Sequence, residues 1–409
     1  MDLLGLLMAT SFAESRKSFP SRSLLFPRLP TQDEAASVSE HPTVLTSSAQ
    51  CQAPDASSST LQAHHEVTLV TQASVERLWM VPHICARWGE APMVVVALAH
   101  DANRLEWPRL GRGARCALTC LELRTTSSGL NNPEKYPINW LRNQGILCVK
   151  TTHYFVVDVD FWPSVELLDC IRRQLGTWGD SARALVIPNF QRNGHGCRND
   201  VEQLACRHAF EKDAIGMPNN FSDLRDCLAA KDCSVFDVEY NPQGQSSTDI
   251  QAWLSRERHD TYAIPCLVSE RYEPFVVLQR TSHTPLFDER FHGYGKNKVQ
   301  LLVHLRYAGY KFDALTRGFV IHFPHPKSVA KQKWLHSGAH ARVESLFNTF
   351  HENQESRGKG MRRRRKAHWW LLSRQRRQRR HFGRPNGHHW AHLQEHCCSR
   401  KFRPRATMK

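Results

Sequence analysis

Long apolar runs are missing from this sequence of 409 residues. No stretch approaches the ~20 apolar residues that a helix needs to cross a bilayer, so no membrane-spanning segment is predicted. The short apolar segment Leu3–Met8 has no basic residue before it and therefore makes a poor signal peptide. Either the true N-terminus is missing, or targeting depends on a feature that these residues do not show.

Acidic residues are scarce at the C-terminus: residues 356–409 contain 18 lysines and arginines against Glu395. The net charge of +16 comes from this tail, because the first 355 residues carry 37 basic and 38 acidic side chains. Arginine-rich blocks such as Met361–Lys366 and Arg374–Arg380 bind RNA or anionic membranes, or serve as nuclear import signals. Residues 357–409 are therefore either a contact for nucleic acid or an unstructured extension.

Standard zinc-binding spacings are absent from the part of the chain where cysteines are densest. Cys197, Cys206, Cys227 and Cys233 lie close together with His208 among them, but their spacing matches none of the usual zinc patterns. We expect isolated buried thiols, or one or two local disulfides, instead of a zinc site.

The composition divides the chain into three parts. Residues 1–64 are rich in Ser, Ala, Pro and Thr, which is typical of a disordered leader or stem. Residues 65–352 form the predicted folded domain, and the basic residues 353–409 form a tail that is predicted to be disordered.

Strand and helix patterns alternate in the folded domain and predict an α/β layer with largely parallel strands. We interpret Gln191–Arg258 as insertions and loops around the site. Strands are predicted at Val67–Val70, Met93–Ala99, Cys116–Leu123, Ala184–Pro188, Phe275–Leu278 and Phe319–Phe323, and helices from Ser74 and over Tyr136–Asn143, Ser164–Leu175 and Val299–Ala308.

Residues 154–161, Tyr-Phe-Val-Val-Asp-Val-Asp-Phe, form an apolar run that ends in Asp158 and Asp160. Apolar residues of this β-branched and aromatic kind suit a strand that is buried on both faces. Side chains alternate along a strand, so the two carboxylates are expected to point the same way. Together they could hold one divalent cation and, through it, a diphosphate. The alternative is an aspartate pair that caps a turn.

Four segments of the chain carry a family pattern in a fixed order. They are Val67–Val81 (VTLVTQASVERLWMV), Tyr136–Pro163 (YPINWLRNQGILCVKTTHYFVVDVDFWP), Tyr272–Ala314 (YEPFVVLQRTSHTPLFDERFHGYGKNKVQLLVHLRYAGYKFDA) and Gly318–His325 (GFVIHFPH). Together they resemble glycosyltransferase family 49, the LARGE-type and related β-glucuronyltransferases. The resemblance implies an α/β fold of the GT-A type, a Rossmann-like α/β/α sandwich for nucleotide-diphospho-sugar transfer. It also implies an inverting transfer of glucuronic acid from a UDP-sugar onto xylose, with Mn²⁺ or Mg²⁺ as the metal.

The resemblance assigns metal and diphosphate roles to individual residues. Asp158 and Asp160 match the family's metal-binding pair, and His322 matches a third ligand, with His325 as the competing candidate. Arg142 matches the arginine of the family's helix, where a guanidinium could pair with diphosphate or with the carboxylate of glucuronic acid. The alternative for Arg142 is a surface position on an amphipathic helix.

Further donor contacts are expected at two places. Thr71 and Gln72 lie at the end of the first predicted strand, and nucleotides bind at strand ends in open α/β sheets. Asn297 and Lys298 match a later family block and could bind polar groups of the donor or acceptor.

An inverting transferase needs a base that takes the proton from the acceptor hydroxyl. Asp288 and Glu289 are the candidates, and the sequence does not choose between them. Gly293 and Gly295 follow and would let the backbone approach the substrate closely. The alternative is a solvated loop.

The sequence also departs from the family. Lys296 stands where relatives usually carry an aromatic residue, so the donor or acceptor differs here if that aromatic stacks on a sugar. The membrane anchor of such Golgi enzymes is not found, and the residues before the folded domain leave no room for the additional domain of LARGE-type proteins, so we expect a single-domain enzyme.

We predict a metal-dependent glycosyltransferase, specifically a UDP-glucuronate-dependent hexuronyltransferase. It would act on a glycan or glycoprotein acceptor in the Golgi lumen, a location that follows from the resemblance alone. The alternative is a non-catalytic relic of this fold whose arginine-rich tail binds nucleic acid or anionic surfaces.

Overall fold

The computed structural model describes residues 44–47, 66–100, 105–110, 115–125, 136–178, 182–193, 216–257, 260–325 and 340–356. The predictions for the tail from residue 357 onward, for most of residues 1–64 and for Cys197, Cys206 and His208 lie outside these residues. Within the described ranges, no helix is both long and apolar enough to span a membrane.

The strands belong to two sheets. In chain order they are β1 (Val44–Ser47), β2 (Val67–Ala73), β3 (Pro92–His100), β4 (Ala117–Thr125), β5 (His153–Val156), β6 (Phe161–Pro163), β7 (Arg183–Ile187), β8 (Asn189–Arg192), β9 (Cys233–Val235), β10 (Thr261–Ile264), β11 (Phe275–Gln279), β12 (Lys311–Leu315) and β13 (Val320–His322).

The larger sheet has the spatial order β1-β4-β3-β2-β5-β11-β7-β12-β10. Strands β4, β3, β2 and β5 run parallel to one another, whereas β11 lies antiparallel between β5 and β7. The central strands are continuous apolar runs, with Val67, Leu69 and Val70 of β2 and Val95 of β3 completely buried. Apolar side chains on both faces are what a parallel sheet covered by helices requires.

The smaller sheet has the order β6-β13-β8-β9. Its register pairs His322 of β13 with Phe161 of β6, and the amide of Phe323 donates to the carbonyl of Asp160 at 2.7 Å. This sheet therefore brings the end of β13 beside the turn that carries the aspartates, although the two segments are far apart in sequence.

Helices connect the strands and cover the large sheet. They are α1 (Val81–Trp88), preceded by a 3-10 helix (Val75–Met80), α2 (Ile138–Leu147), α3 (Leu167–Leu175), α4 (Phe221–Ala229), α5 (Ile250–Ser255), α6 (Asn297–Tyr307) and α7 (residues 340–356).

Helix α2 approaches the large sheet closely because Gly145 faces it. A Cβ added at Gly145 would lie 2.5 Å from Cγ1 of Val70 in β2, which is shorter than any normal carbon contact. The absence of a side chain there lets α2 lie against β2 and β3, and this contact fixes the position of Arg142 in the same helix.

The predicted α/β fold is confirmed: six of the nine strands of the large sheet run in the same direction, and β1, β10 and β11 run antiparallel to them. One interpretation was wrong: Gln191–Arg258 is not a set of loops, because its described residues include the end of β8 and all of α4, β9 and α5. These elements are three to nine residues long, too short to show a clear period. In addition, β1 lies within the predicted leader and pairs with β4, and α7 continues to residue 356.

Six described cysteines are disulfide-bonded: Cys85, Cys116, Cys148, Cys227, Cys233 and Cys266. Cys85 of α1 bonds to Cys116 just before β4, and Cys227 of α4 bonds to Cys233 of β9. The second is a local disulfide of the kind expected for the cysteine-rich part of the chain.

Candidate functional site

The two aspartates lie in a turn between the two sheets. Strand β5 ends at Val156, and the amide of Phe161 donates to the carbonyl of Asp158 at 2.9 Å, so residues 158–161 form a tight turn that leads into β6. The alternation of side-chain direction along β5 therefore stops before the two carboxylates. Asp158 and Asp160 consequently contact different groups instead of sharing one set of partners.

Asp160 is surrounded by two histidines from the end of β13. Its Oδ2 lies 2.9 Å from Nε2 of His325 and 3.8 Å from Nε2 of His322, and the two Nε2 atoms are 3.2 Å apart. One ligand atom from each of these three residues lies within 4.8 Å of the others. The structure thus places both His322 and His325 beside Asp160, so both histidines could be metal ligands.

The chemistry of this cluster fits a divalent cation. Oδ1 of Asp160 is buried and has no hydrogen-bond partner among the described residues, although buried polar atoms are normally paired. Burial alone would raise the pKa of Asp160, but polar contacts with His322 and His325 and the charge of Arg77 hold the pKa well below its ordinary value. A carboxylate oxygen is a usual ligand of Mn²⁺, and imidazole is an acceptable one. Asp160, His322 and His325 are therefore the residues that could hold the metal.

Arg77 is a member of the site that the sequence did not predict. It lies in the 3-10 helix that follows β2, and its Nη1 donates to Oδ2 of Asp160 at 2.7 Å. Its Nη2 lies 3.4 Å from Nδ1 of His325. The sequence offered one indication of this role: Arg77 follows the first predicted strand, and nucleotide-binding α/β sheets place their ligands at strand ends.

Asp158 forms a second charged cluster. Its Oδ1 accepts from Nη2 of Arg142 at 2.6 Å, and its Oδ2 accepts from Nζ of Lys298 at 3.2 Å. Nζ of Lys298 also lies 3.5 Å from Oε1 of Glu273 and 4.2 Å from the centre of the Phe275 ring. Burial would raise the pKa of Asp158, but the charges of Lys298 and Arg142 hold the pKa below its ordinary value.

Buried amides hold Arg142 in place. Its Nη1 donates to Oδ1 of Asn139 at 3.0 Å and to Oδ1 of Asn297 at 3.1 Å. The side chain is 2% exposed and lies over the Phe287 ring. Arg142 is therefore a buried member of the site and not a surface arginine, and Asn297 contacts it directly.

Lys298, the second cation beside Asp158, is also affected by its neighbours. Burial would lower the pKa of Lys298, but the charges of Asp158 and Glu273 raise it above the ordinary value.

The candidate nucleotide contacts lie at the end of β2. Thr71 is buried, and its hydroxyl has no hydrogen-bond partner among the described residues. Oε1 of Gln72 accepts from the hydroxyl of Tyr136 at 2.8 Å. The backbone carbonyl of Val70 in the same strand accepts from the amide of Val157, which connects this strand end to the aspartate turn.

The candidate bases lie in the segment before α6 and have separate partners. Asp288 is paired with Arg290, whereas Oε1 of Glu289 accepts from Nδ2 of Asn143 at 2.7 Å. The backbone carbonyl of Asp288 also accepts from Nδ2 of Asn139, so helix α2 fixes this segment as well as Arg142. The structure does not choose between the two carboxylates.

The glycine-rich turn orients two further residues. Gly293 and Gly295 have φ values of 62° and 94°, which side chains disfavour, and they flank the exposed Tyr294. Although 39% of Tyr294 is exposed, partial burial, followed by the charges of Glu273 and three other carboxylates, raises the pKa of its hydroxyl. Lys296 instead pairs with Glu344 of α7 at 3.4 Å.

The sequence profile of a family described as "Glycosyl-transferase for dystroglycan" matches residues 108–357. Two curated relatives are the "Xylosyl- and glucuronyltransferase LARGE2" of Rattus norvegicus and that of Mus musculus. They are 30% identical over 298 residues and 31% identical over 297 residues, in each case 72% of this chain and 39% of the relative. The chain thus spans about two-fifths of the length of these relatives.

A solved structure with a detectable likeness is that of residues 1–349 of S. aureus TarS. The two chains are 11% identical, with a TM-score of 0.36, and the likeness covers 63% of this chain and 60% of TarS 1–349.

Proposed function

This chain belongs to the dystroglycan glycosyl-transferase family whose profile it matches, and from this premise we propose that it is an inverting, metal-dependent glycosyltransferase. The reaction moves a sugar from a UDP-sugar to a glycan hydroxyl. The observation that carries the proposal is the cluster of Asp160, His322 and His325, in which a buried carboxylate oxygen lacks a hydrogen-bond partner among the described residues.

Asp160, His322 and His325 would hold Mn²⁺ or Mg²⁺. When bound, the metal would act as a Lewis acid that neutralises the negative charge of the diphosphate leaving group. Asp158 is adjacent, but its two oxygens are engaged by Arg142 and Lys298, so its proposed role is to position these cations.

Arg142 and Lys298 supply positive charge beside the metal cluster. Lys298 is the better candidate for direct contact with the donor, because its ammonium has fewer fixed partners than the guanidinium of Arg142. A diphosphate, or the carboxylate of a uronic acid, could be bound by this ammonium. Thr71 and Gln72, at the end of β2, are proposed to contact the nucleoside.

Asp288 or Glu289 is proposed to accept the proton of the acceptor hydroxyl. The Glu289 carboxylate is oriented by the amide of Asn143, and the Asp288 carboxylate is neutralised by Arg290. A base must be ionised and aimed at its proton. Either carboxylate could fill this role.

Glucuronic acid is the proposed sugar and xylose the proposed acceptor. The two relatives are named xylosyl- and glucuronyltransferases, so a xylosyl donor is the first competitor to test. The proposed location is the Golgi lumen. The disulfides of the described residues support this location, because disulfides persist in oxidising compartments.

The test is release of UDP by the purified full chain with Mn²⁺, across a panel of UDP-sugars with xylosides as acceptors. We expect release with UDP-glucuronic acid, abolished by chelation and reduced about a hundredfold or more in Asp160→Asn. Asp226→Asn, which changes an exposed aspartate of α4, is the matched control and should retain full activity. No release with any donor, and no Mn²⁺-dependent binding of UDP, would favour a non-catalytic relic.

A further inference from the structure

We propose that Arg77 and the metal compete for Asp160, and that Arg77 exchanges this carboxylate for the diphosphate of the donor when the metal binds. Arg77 would thus be a mobile cation of the active site. The inference rests on the proposed function, because it requires a divalent cation and a nucleotide diphosphate at this cluster.

The first step of the argument is the position of the guanidinium. Nη1 of Arg77 donates to the same Oδ2 atom of Asp160 that Nε2 of His325 contacts, at 2.7 Å and 2.9 Å respectively. Nη2 reaches Nδ1 of His325 at 3.4 Å. Arg77 therefore contacts two of the three groups that could hold the metal.

The second step concerns the proton on His325. An arginine N–H always donates, so Nδ1 of His325 accepts in this arrangement. A neutral imidazole then carries its proton on Nε2, which donates to Asp160. To bind a metal through Nε2, His325 must move that proton to Nδ1, where it would face the N–H of Arg77. Two donors cannot face each other, so Arg77 must leave His325.

The third step is the balance of charge. The cluster holds one carboxylate, and the guanidinium lies in direct contact with it. A divalent cation bound by the same carboxylate would be repelled by this fixed positive charge at short range. Displacement of Arg77 removes the repulsion and frees Oδ2, while the buried Oδ1 remains as a further ligand atom.

The fourth step is the destination of the guanidinium. The side chain of Arg77 is 23% exposed, whereas Arg142 is nearly inaccessible, so Arg77 can swing without unpacking the core. A diphosphate beside the metal cluster would offer oxygens in the geometry that a guanidinium binds by two parallel hydrogen bonds. The exchange therefore keeps Arg77 paired with an anion before and after the donor binds.

The experiment measures binding and not turnover. Full-length wild type, Arg77→Met and Arg77→Lys are titrated with Mn²⁺ without nucleotide, with the free Mn²⁺ followed by electron paramagnetic resonance. UDP is then titrated at saturating Mn²⁺ by calorimetry. The matched control is Arg172→Met, because Arg172 also pairs with a single carboxylate, that of Glu66, at 2.5 Å, and Glu66 precedes β2 whereas Arg77 follows it.

We expect Arg77→Met to bind Mn²⁺ about tenfold more tightly than wild type and UDP about tenfold more weakly, each change equivalent to ~1.4 kcal/mol. Arg77→Lys keeps the charge but offers one nitrogen in place of the two guanidinium nitrogens that contact Asp160 and His325, so both of its affinities should lie between those of wild type and Arg77→Met. Arg172→Met should change neither. Circular dichroism verifies that each variant is folded, and Arg77→Lys carries the test if Arg77→Met is not.

Two results would overturn the exchange while leaving the proposed function intact. One is Mn²⁺ affinity that is unchanged or weaker in the Arg77 variants. The other is tighter Mn²⁺ binding with no loss of UDP affinity, since the guanidinium would then have no partner in the donor. Absence of Mn²⁺ binding in wild type and in every variant, with or without UDP, would refute the metal-dependent function and the exchange together.

Discussion

Replacement of Arg142 by methionine tests whether the buried charges of the site are held by one another. Arg142→Met removes the guanidinium that contacts Asp158 at 2.6 Å and the amide oxygens of Asn139 and Asn297. Methionine is uncharged and replaces the aliphatic part of the arginine side chain, so the loss is mainly electrostatic. We expect the protein to remain folded but clearly less stable.

The magnitude follows from what is left behind. Breaking a buried ion pair by removing one partner costs about 3–5 kcal/mol, and each buried acceptor that loses its donor adds to the loss. Lys298 remains 3.2 Å from Asp158 and continues to neutralise it, which places the expected loss near ~3 kcal/mol. For a domain of this size this corresponds to a decrease in Tm of roughly 6 °C.

The assay is thermal and urea unfolding of wild type, Arg142→Met, Asp158→Asn and the double variant. Because Arg142 and Asp158 contact each other directly, the double variant should lose about 2 kcal/mol less than the sum of the single losses. Arg172→Met is the comparison: its pair with Glu66 is about a third exposed on each side, and such pairs contribute ~0–1 kcal/mol. A loss below about 1 kcal/mol for Arg142→Met, or strict additivity in the cycle, would refute the reasoning.

Three further predictions concern other parts of the fold. Gly145→Ala should cost about 1–3 kcal/mol in urea unfolding, because its Cβ would meet Val70 at 2.5 Å, whereas Gly176→Ala, with nothing within 4 Å, should change little. Asn220→Ala should cost about 1 kcal/mol, since the Asn220 side chain caps α4; an unchanged Tm would contradict this. Burial raises the pKa of Cys120 to about 11, so its alkylation by iodoacetamide, followed by mass spectrometry, should be slow at pH 8 and rise about tenfold per pH unit to about pH 10.

The sequence predicted the elements whose pattern is long enough to read. Strand β3 is a run of nine residues, Pro92–His100, and its buried valines fit no other assignment. Helix α6 was predicted within two residues of its ends. Strands such as Phe161–Pro163 and Cys233–Val235 span three residues each, less than two periods of strand alternation, so the smaller sheet could not be found from periodicity.

The candidate site was predicted in its residue types but not in its pairing. Prediction of the aspartate pair assumed that strand geometry continues through Asp160, whereas the strand ends at Val156 and a turn follows. Arg77 was missed because its contact with Asp160 joins residues separated by 83 positions. A single basic residue carries no spacing from which such a contact could be inferred.

The different partners of the two aspartates explain why we expect a divalent cation to bind Asp160 and not Asp158. Asp158 is neutralised by cations that are buried, with Arg142 2% and Lys298 11% exposed, and displacing either would leave a charge unpaired in the interior at a cost of several kcal/mol. Asp160 is neutralised by Arg77, which can move into solvent, and it has histidines beside it that can bind metal. We therefore expect Asp158→Asn to retain most Mn²⁺ affinity and Asp160→Asn to lose it, and equal losses in the two variants would show that the carboxylates share one cation.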